Sequence, residues 1–181
     1  AKSIIKLNIL LGSERTGIAW WGVPQDSLAT DRRFNPAGVY TDASNITRYY
    51  NDEVDDYLQN HYHLSFSRLL SDKLTFNSGI HLTTGKGYYE EQKSDISLEE
   101  YGLDNIIIGN TTITETDIVR RKWMTNNFYG AVWSFVRKGA RSEMILGGGF
   151  NRYDGNHFGR IIWMENAGKY IPDYEWYRNK G

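Results

Sequence analysis

Three histidines, five aromatic residues and two runs of carboxylates are the side chains in this 181-residue sequence with chemistry to offer. His61, His63 and His81 fall on one side of an alternating pattern, and imidazoles grouped in this way can ligate a metal. No carboxylate joins them by parity, so polar lining is the expected role and no metal is expected. Trp20, Trp21, Tyr88, Tyr89 and Trp176 lie in polar connecting segments. Exposed rings there could stack on a sugar or a catechol, with loop-to-loop packing as the competing use, and these five are the candidate ligand-binding residues. Asp52, Glu53, Asp55 and Asp56, and likewise Glu90, Glu91, Glu99 and Glu100, lack the spacing of a calcium loop and read as a solvated face. Gly147-Gly148-Gly149 has no following Lys-Ser/Thr, and neither Gly-x-Ser-x-Gly nor His-Glu-x-x-His occurs. The residues therefore predict neither an enzyme nor a cofactor.

Composition narrows the classes further. Lys plus Arg number 21 and Asp plus Glu 22, a net charge of -1, so the basic surplus that neutralises phosphates is missing and no nucleic-acid partner is expected. The absence of cysteine excludes a disulfide framework, zinc-thiolate sites and thiol nucleophiles. Mean hydropathy is -0.58, and no apolar run approaches the roughly 18 residues of a membrane-spanning helix. No signal-peptide pattern opens the chain. With 7 Phe, 6 Trp, 13 Tyr and 18 Gly against 3 Pro, the composition suits long strands with aromatic faces. A transmembrane β-barrel stays compatible, because it hides its apolar surface in alternation.

Alternation is what the chain shows. Ile5, Leu7, Ile9 and Leu11 alternate with Lys6, Asn8 and Gly12, broken only by Leu10. Leu58, Tyr62, Leu64 and Phe66 fall on even positions, and Leu74, Phe76, Ile80 and Leu82 continue the pattern after Ser71-Asp72-Lys73. Facing residues of an antiparallel pair share a side, so a three-residue turn would set Leu70 against Leu74, Leu64 against Ile80, Tyr62 against Leu82 and His63 beside His81. A second hairpin spans residues 117–151. A turn centred on Lys138-Gly139 would pair Trp133 with Met144 and Ala131 with Leu146. It would also put Phe128 over Gly149 and Gly130 opposite Gly147, an aromatic covering strand glycines. Asp154-Gly155 reads as a turn.

Two tight turns alternate with long polar segments at 12–55, 85–116 and 152–181. Compact domains rarely carry connections beyond about 15 residues, whereas outer-membrane barrels combine short periplasmic turns with long extracellular loops. Crossing a bilayer takes about 9–11 tilted residues per strand. The spanning runs are 4–11, 56–70, 74–84, the second half of 117–137, and 140–151; residues 157–164 read as a loop-borne strand. Arg120, Arg121 and Lys122 then project beyond the bilayer, and no charge falls on the apolar faces of Leu58 to Phe66, Leu74 to Leu82 or Tyr129 to Phe135. Trp123, Tyr129 and Trp133 would form an interfacial girdle. Five strands cannot close a membrane barrel, and the aromatic stretch 170–177 ends with no returning strand. The expected fold is all-β, an antiparallel meander forming a partial wall of a large transmembrane β-barrel with long extracellular loops.

Several stretches carry a resemblance: Arg15-Thr16-Gly17 with Ala19-Trp20-Trp21-Gly22-Val23-Pro24, Tyr49-Tyr50-Asn51-Asp52-Glu53-Val54-Asp55-Asp56-Tyr57, Gly85-Lys86-Gly87-Tyr88-Tyr89-Glu90-Glu91, Arg120-Arg121-Lys122-Trp123 with Phe128-Tyr129-Gly130, and Gly147-Gly148-Gly149-Phe150-Asn151-Arg152-Tyr153-Asp154-Gly155. Together they resemble the barrel of TonB-dependent outer-membrane receptors of the Bacteroidetes type, over nearly all of residues 1–181. The resemblance implies a 22-stranded barrel filled by a plug, powered through TonB, and importing siderophore-bound iron, cobalamin or oligosaccharides across the bacterial outer membrane. The sequence departs from a complete receptor in having no plug, no TonB-contacting segment and too few strands. What is expected is a barrel segment, partnered by a lipid bilayer, an imported ligand and, through the plug, TonB. The alternative is a soluble all-β carbohydrate-binding or surface-adhesion module, in which the two apolar faces would seal against each other.

Overall fold

Alternating apolar and polar residues with few prolines leave the backbone free to pair at length. In the computed structural model, which describes residues 2–18, 20–42, 44–167 and 173–180, pairing runs far beyond the short segments the apolar patterns mark. The strands are β1 (Ser3–Gly17), β2 (Val39–Thr41), β3 (Thr47–Tyr49), β4 (Val54–Ser71), β5 (Leu74–Ser97), β6 (Ile106–Ile108), β7 (Thr111–Ile113), β8 (Glu115–Lys138), β9 (Glu143–Met164) and β10 (Tyr174–Lys180). Six of them form one antiparallel meander in the order β1-β4-β5-β8-β9-β10, while β2-β3 and β6-β7 are separate small hairpins. The protein is all-β and antiparallel.

The β4–β5 register pairs Leu64 with Ile80, Tyr62 with Leu82 and His63 with His81, as parity demands. Leu70 does not face Leu74. A bulge between Leu69 and Ser71 sets Ser71 opposite Leu74 across Asp72-Lys73, so the extra residue does the parity work expected of a longer turn. The β8–β9 register departs further. Lys138 pairs with Glu143, Trp133 with Gly148 and Ala131 with Phe150, and the connection 139–142 is closed by the Gly139 amide donating to the Ser142 carbonyl at 2.7 Å. The shift is an even number of residues, so both faces survive while every expected partner changes. Phe128 faces Tyr153 and Gly130 faces Asn151; the ring that covers a glycine is Trp133, whose Cζ2 lies 3.3 Å from where a Gly148 Cβ would stand.

Three boundaries are also corrected. Residues 157–164 continue β9, because Gly155 extends the strand under the Tyr153 ring instead of turning it. β5 runs through Gly85 and Gly87 to Ser97. Of the stretch 170–177, residues 170–172 lie outside the described residues, and Tyr174–Lys180 is a returning strand on β9. The long connections that remain, 18–53, 98–114 and 165–173, all leave and re-enter the sheet at one end, with the turns 72–73 and 139–142 at the other.

The two faces differ sharply. Following the register, Ile5, Leu64, Ile80, Trp133 and Phe150 belong to one apolar face. Their exposures are 72%, 43%, 59%, 42% and 65%, and among the described residues no second layer packs on them. The opposite face is polar: the Ser67 hydroxyl donates to Asn77 Oδ1 at 2.8 Å, and Asn77 Nδ2 donates to Ser134 Oγ at 3.4 Å. The sealed core is small and sits at the loop end, where Leu98, Tyr101, Leu103 and Ile106 close over Ile118, Ile161 and Met164. By alternation along β8, Ile118 shares the polar face with Lys122 and Phe128, so this cap folds over that face.

Candidate functional site

Glycines on the polar face prepare a groove at the loop end. A Cβ at Gly87 would stand 2.4 Å from the Tyr57 ring, and one at Gly85 would stand 2.1 Å from its hydroxyl. Without those atoms Tyr57 lies flat along β5, its hydroxyl donating to Asn126 Oδ1 at 3.0 Å. Gly159 plays the same part on β9, where a Cβ would meet both Trp176 and Tyr177 at 2.4 Å. Rings laid flat on glycine backbone keep the face low and leave a cavity of about 640 Å³ lined by Glu14, Asp55, Tyr57, Tyr89, Lys122 and His157, among others. Burial raises the phenol pKa values of Tyr89 and Tyr177, so these groups stay neutral donors. Burial, and then the charge of Arg120, lowers that of Lys122, whose Nζ stands 5.7 Å from the Tyr89 ring centre.

Two crossed ion pairs brace the loop end. Glu90 and Glu91 face Arg121 and Arg120 across the β5–β8 ladder, and alternation sends one pair to each side of the sheet. Arg120 Nε donates to Glu91 at 2.8 Å, and its guanidinium also holds the Tyr101 hydroxyl. Arg121 Nε donates to Glu90, which also accepts from the Tyr50 hydroxyl; burial and Glu90 together push that phenol well above its ordinary pKa. Where β4 ends, the exposed edge of β5 is capped by Glu53 Oε1, which accepts from the Gln92 amide at 2.7 Å. Glu53, Glu90 and Glu91 are therefore buried, which corrects the expectation of a solvated acidic face for these three, while Asp52, Glu99 and Glu100 are exposed as expected. The signal was available in the facing doublets Glu90-Glu91 and Arg120-Arg121, but only once a register had been chosen.

The five candidate aromatics divide. Trp20 and Trp21 are both exposed, with Trp20 edge-on to Tyr89 at 4.8 Å and 6.2 Å from Trp21, which lies under Lys93 Nζ at 5.9 Å. Trp176 packs on Tyr101 at 5.0 Å and on Tyr177 at 5.2 Å, at the cap side of the same groove. Tyr88 borders the cavity, but its ring lies on the opposite face, between Trp123 at 4.5 Å and the Arg121 guanidinium at 4.4 Å. Tyr57, Tyr177, Lys122 and His157 complete the groove and were not among the candidates. Their visible mark is an aromatic placed across from a strand glycine. His61 contacts Thr83 Oγ1 at 2.9 Å, and the His81 ring lies 4.9 Å from that of Phe128. No protein-family model, curated protein or solved structure matches this chain.

Proposed function

We propose that the chain is a wall segment of a TonB-dependent outer-membrane receptor that binds and guides an imported nutrient: siderophore-bound iron, cobalamin or an oligosaccharide. The observation that carries this reading is the apolar band across β1, β4, β5, β8 and β9, charge-free in the rows of Ile5 and Leu7 and with most of its large side chains exposed. At roughly 25 cal/mol per Å², water is a poor neighbour for so wide a surface, and a soluble sandwich would have turned it inward. Lipid would cover it, the polar face would line the lumen, and the loop end with its groove would face outward. Above the band on the same face, Tyr88, Trp123 and Phe158 form a row, the last two stacked at 5.9 Å, consistent with an interfacial girdle. Plug and TonB contact would come from elsewhere in the full-length protein. The role is binding and passage, with no bond chemistry.

Fractionation of cells that make the full-length protein tests this. It should sediment with the outer membrane and require detergent for release, and its recovery as a detergent-free monomer from the soluble fraction would overturn the reading. For the groove, Tyr89→Ala should weaken uptake of the nutrient by about tenfold, the effect of losing one stacking contact of 1–3 kcal/mol. Tyr88→Ala should leave uptake near the parent level, since its ring faces the other side.

A further inference from the structure

Ionic partners are distributed unevenly along the apolar face. At the loop end most of its cations are neutralised within the sheet: Arg15 by Asp56 at 2.9 Å, Arg121 by Glu90, Arg160 by Asp173 at 2.9 Å, and Arg178 by Glu175 at 2.7 Å, while Lys86 stands 5.8 Å over the Trp123 ring and Arg152 makes no ion pair among the described residues. At the turn end most cations are not neutralised. The two hairpin ends, residues 68–74 and 136–143, hold Arg68, Lys73, Arg137, Lys138 and Arg141 against Asp72 and Glu143. Lys138 and Glu143 approach to 3.9 Å, while Arg68, Lys73, Arg137 and Arg141 are exposed and make no ion pair among the described residues.

Their placement selects a partner. Arg68 shares a cross-strand row with Phe76 and Phe135, and Arg137 lies in the row of Leu74 and Met144. Two guanidiniums thus stand at the last rows of the apolar band, with Lys73 and Arg141 in the turns just past it. Long cationic side chains in such a position lay their stems on apolar surface and extend the charge to the polar boundary. Resting on the barrel-wall reading, we infer that the turn end binds the headgroups of anionic phospholipids. A free phosphate would satisfy the cations and leave the adjoining band bare, whereas a phospholipid satisfies both with one molecule.

The test uses the full-length protein in vesicles of equimolar phosphatidylglycerol and phosphatidylcholine, with brominated tails on one lipid or the other. Quenching of Trp133, read as the difference from a Trp133→Phe variant, reports which lipid lies against the band. Phosphatidylglycerol should be locally enriched by roughly fivefold, about what one cation contributes at an anionic surface. The preference should fall as salt rises and approach unity when Arg68, Lys73, Arg137 and Arg141 are all changed to Gln. Equal quenching by both lipids at low salt would overturn the headgroup proposal and leave the barrel wall standing; quenching by neither would overturn both. A preference abolished by inorganic phosphate, but not by chloride of equal ionic strength, would assign the cations to free phosphate instead. If the fourfold variant fails to insert, the salt titration of the unmodified protein decides.

Discussion

Glu53 shows how a single carboxyl can set a pH dependence. Burial raises its pKa, Glu91 and Glu90 add to the rise, and the hydrogen bond from the Gln92 amide opposes it. The folded protein therefore holds this proton more tightly than the unfolded chain does. The contribution is fully present below the ordinary carboxylate pKa and is lost as pH climbs through the raised value. Hydrogen exchange at the Gln92 amide, corrected for intrinsic rate, should show protection falling over that window. Glu53→Gln, which keeps an acceptor and removes the charge, should flatten the profile, and an unchanged slope would remove Glu53 as its source. Arg120→Met should destabilise the loop end by about 2 kcal/mol in denaturant titrations. That is less than the 3–5 of an isolated buried pair, because Lys93 remains 3.1 Å from Glu91. Gly87→Ala should cost about 1–3 kcal/mol by overpacking, since its Cβ would meet the Asp56 carbonyl at 2.3 Å as well as the Tyr57 ring. Gly148→Ala should cost less, with only the Trp133 ring to displace at 3.3 Å.

Among the elements, strand ladder and loop cap draw on different sources of stability. The cap is a small hydrophobic core around fully buried Leu98 and Ile118, so Ile118→Ala should weaken it by about 2–5 kcal/mol. Hydrogen exchange should rise across residues 98–113 while the β4–β5 ladder stays protected. Loss of protection along both together would show one cooperative unit. The ladder depends on what covers its apolar face. In lipid, Ile80→Arg should cost about 2–4 kcal/mol by urea unfolding, whereas the neighbouring His81→Arg, on the polar face, should cost far less. Equal penalties for the two would mean that the faces do not meet different solvents.

Among the described residues, the sheet as a whole has two outer strands, β1 and β10, each paired on one side only, and an apolar face without a second layer. Both are liabilities in water. The 181 residues on their own should self-associate without detergent, and a dilute sample that sediments as a monomer would contradict the exposed band. The placement of every long connection at one end gives the molecule a polarity, with a capped groove at one extreme and bare cations at the other.

Period-two alternation was enough to establish strands, faces and the pairing of Leu64 with Ile80, because a one-residue slip would have exchanged the two sides. Alternation carries no information about slips by an even number, so Trp133 against Gly148 instead of Met144 depended on where the chain could close its turn. Nor could local composition tell a turn glycine from a strand glycine. Gly85, Gly87, Gly155 and Gly159 stay extended because Tyr57, Tyr153, Trp176 and Tyr177 occupy the space a side chain would need. The groove and the buried carboxylates arise for the same reason: their partners lie tens of residues away, and long-range pairing brings them together.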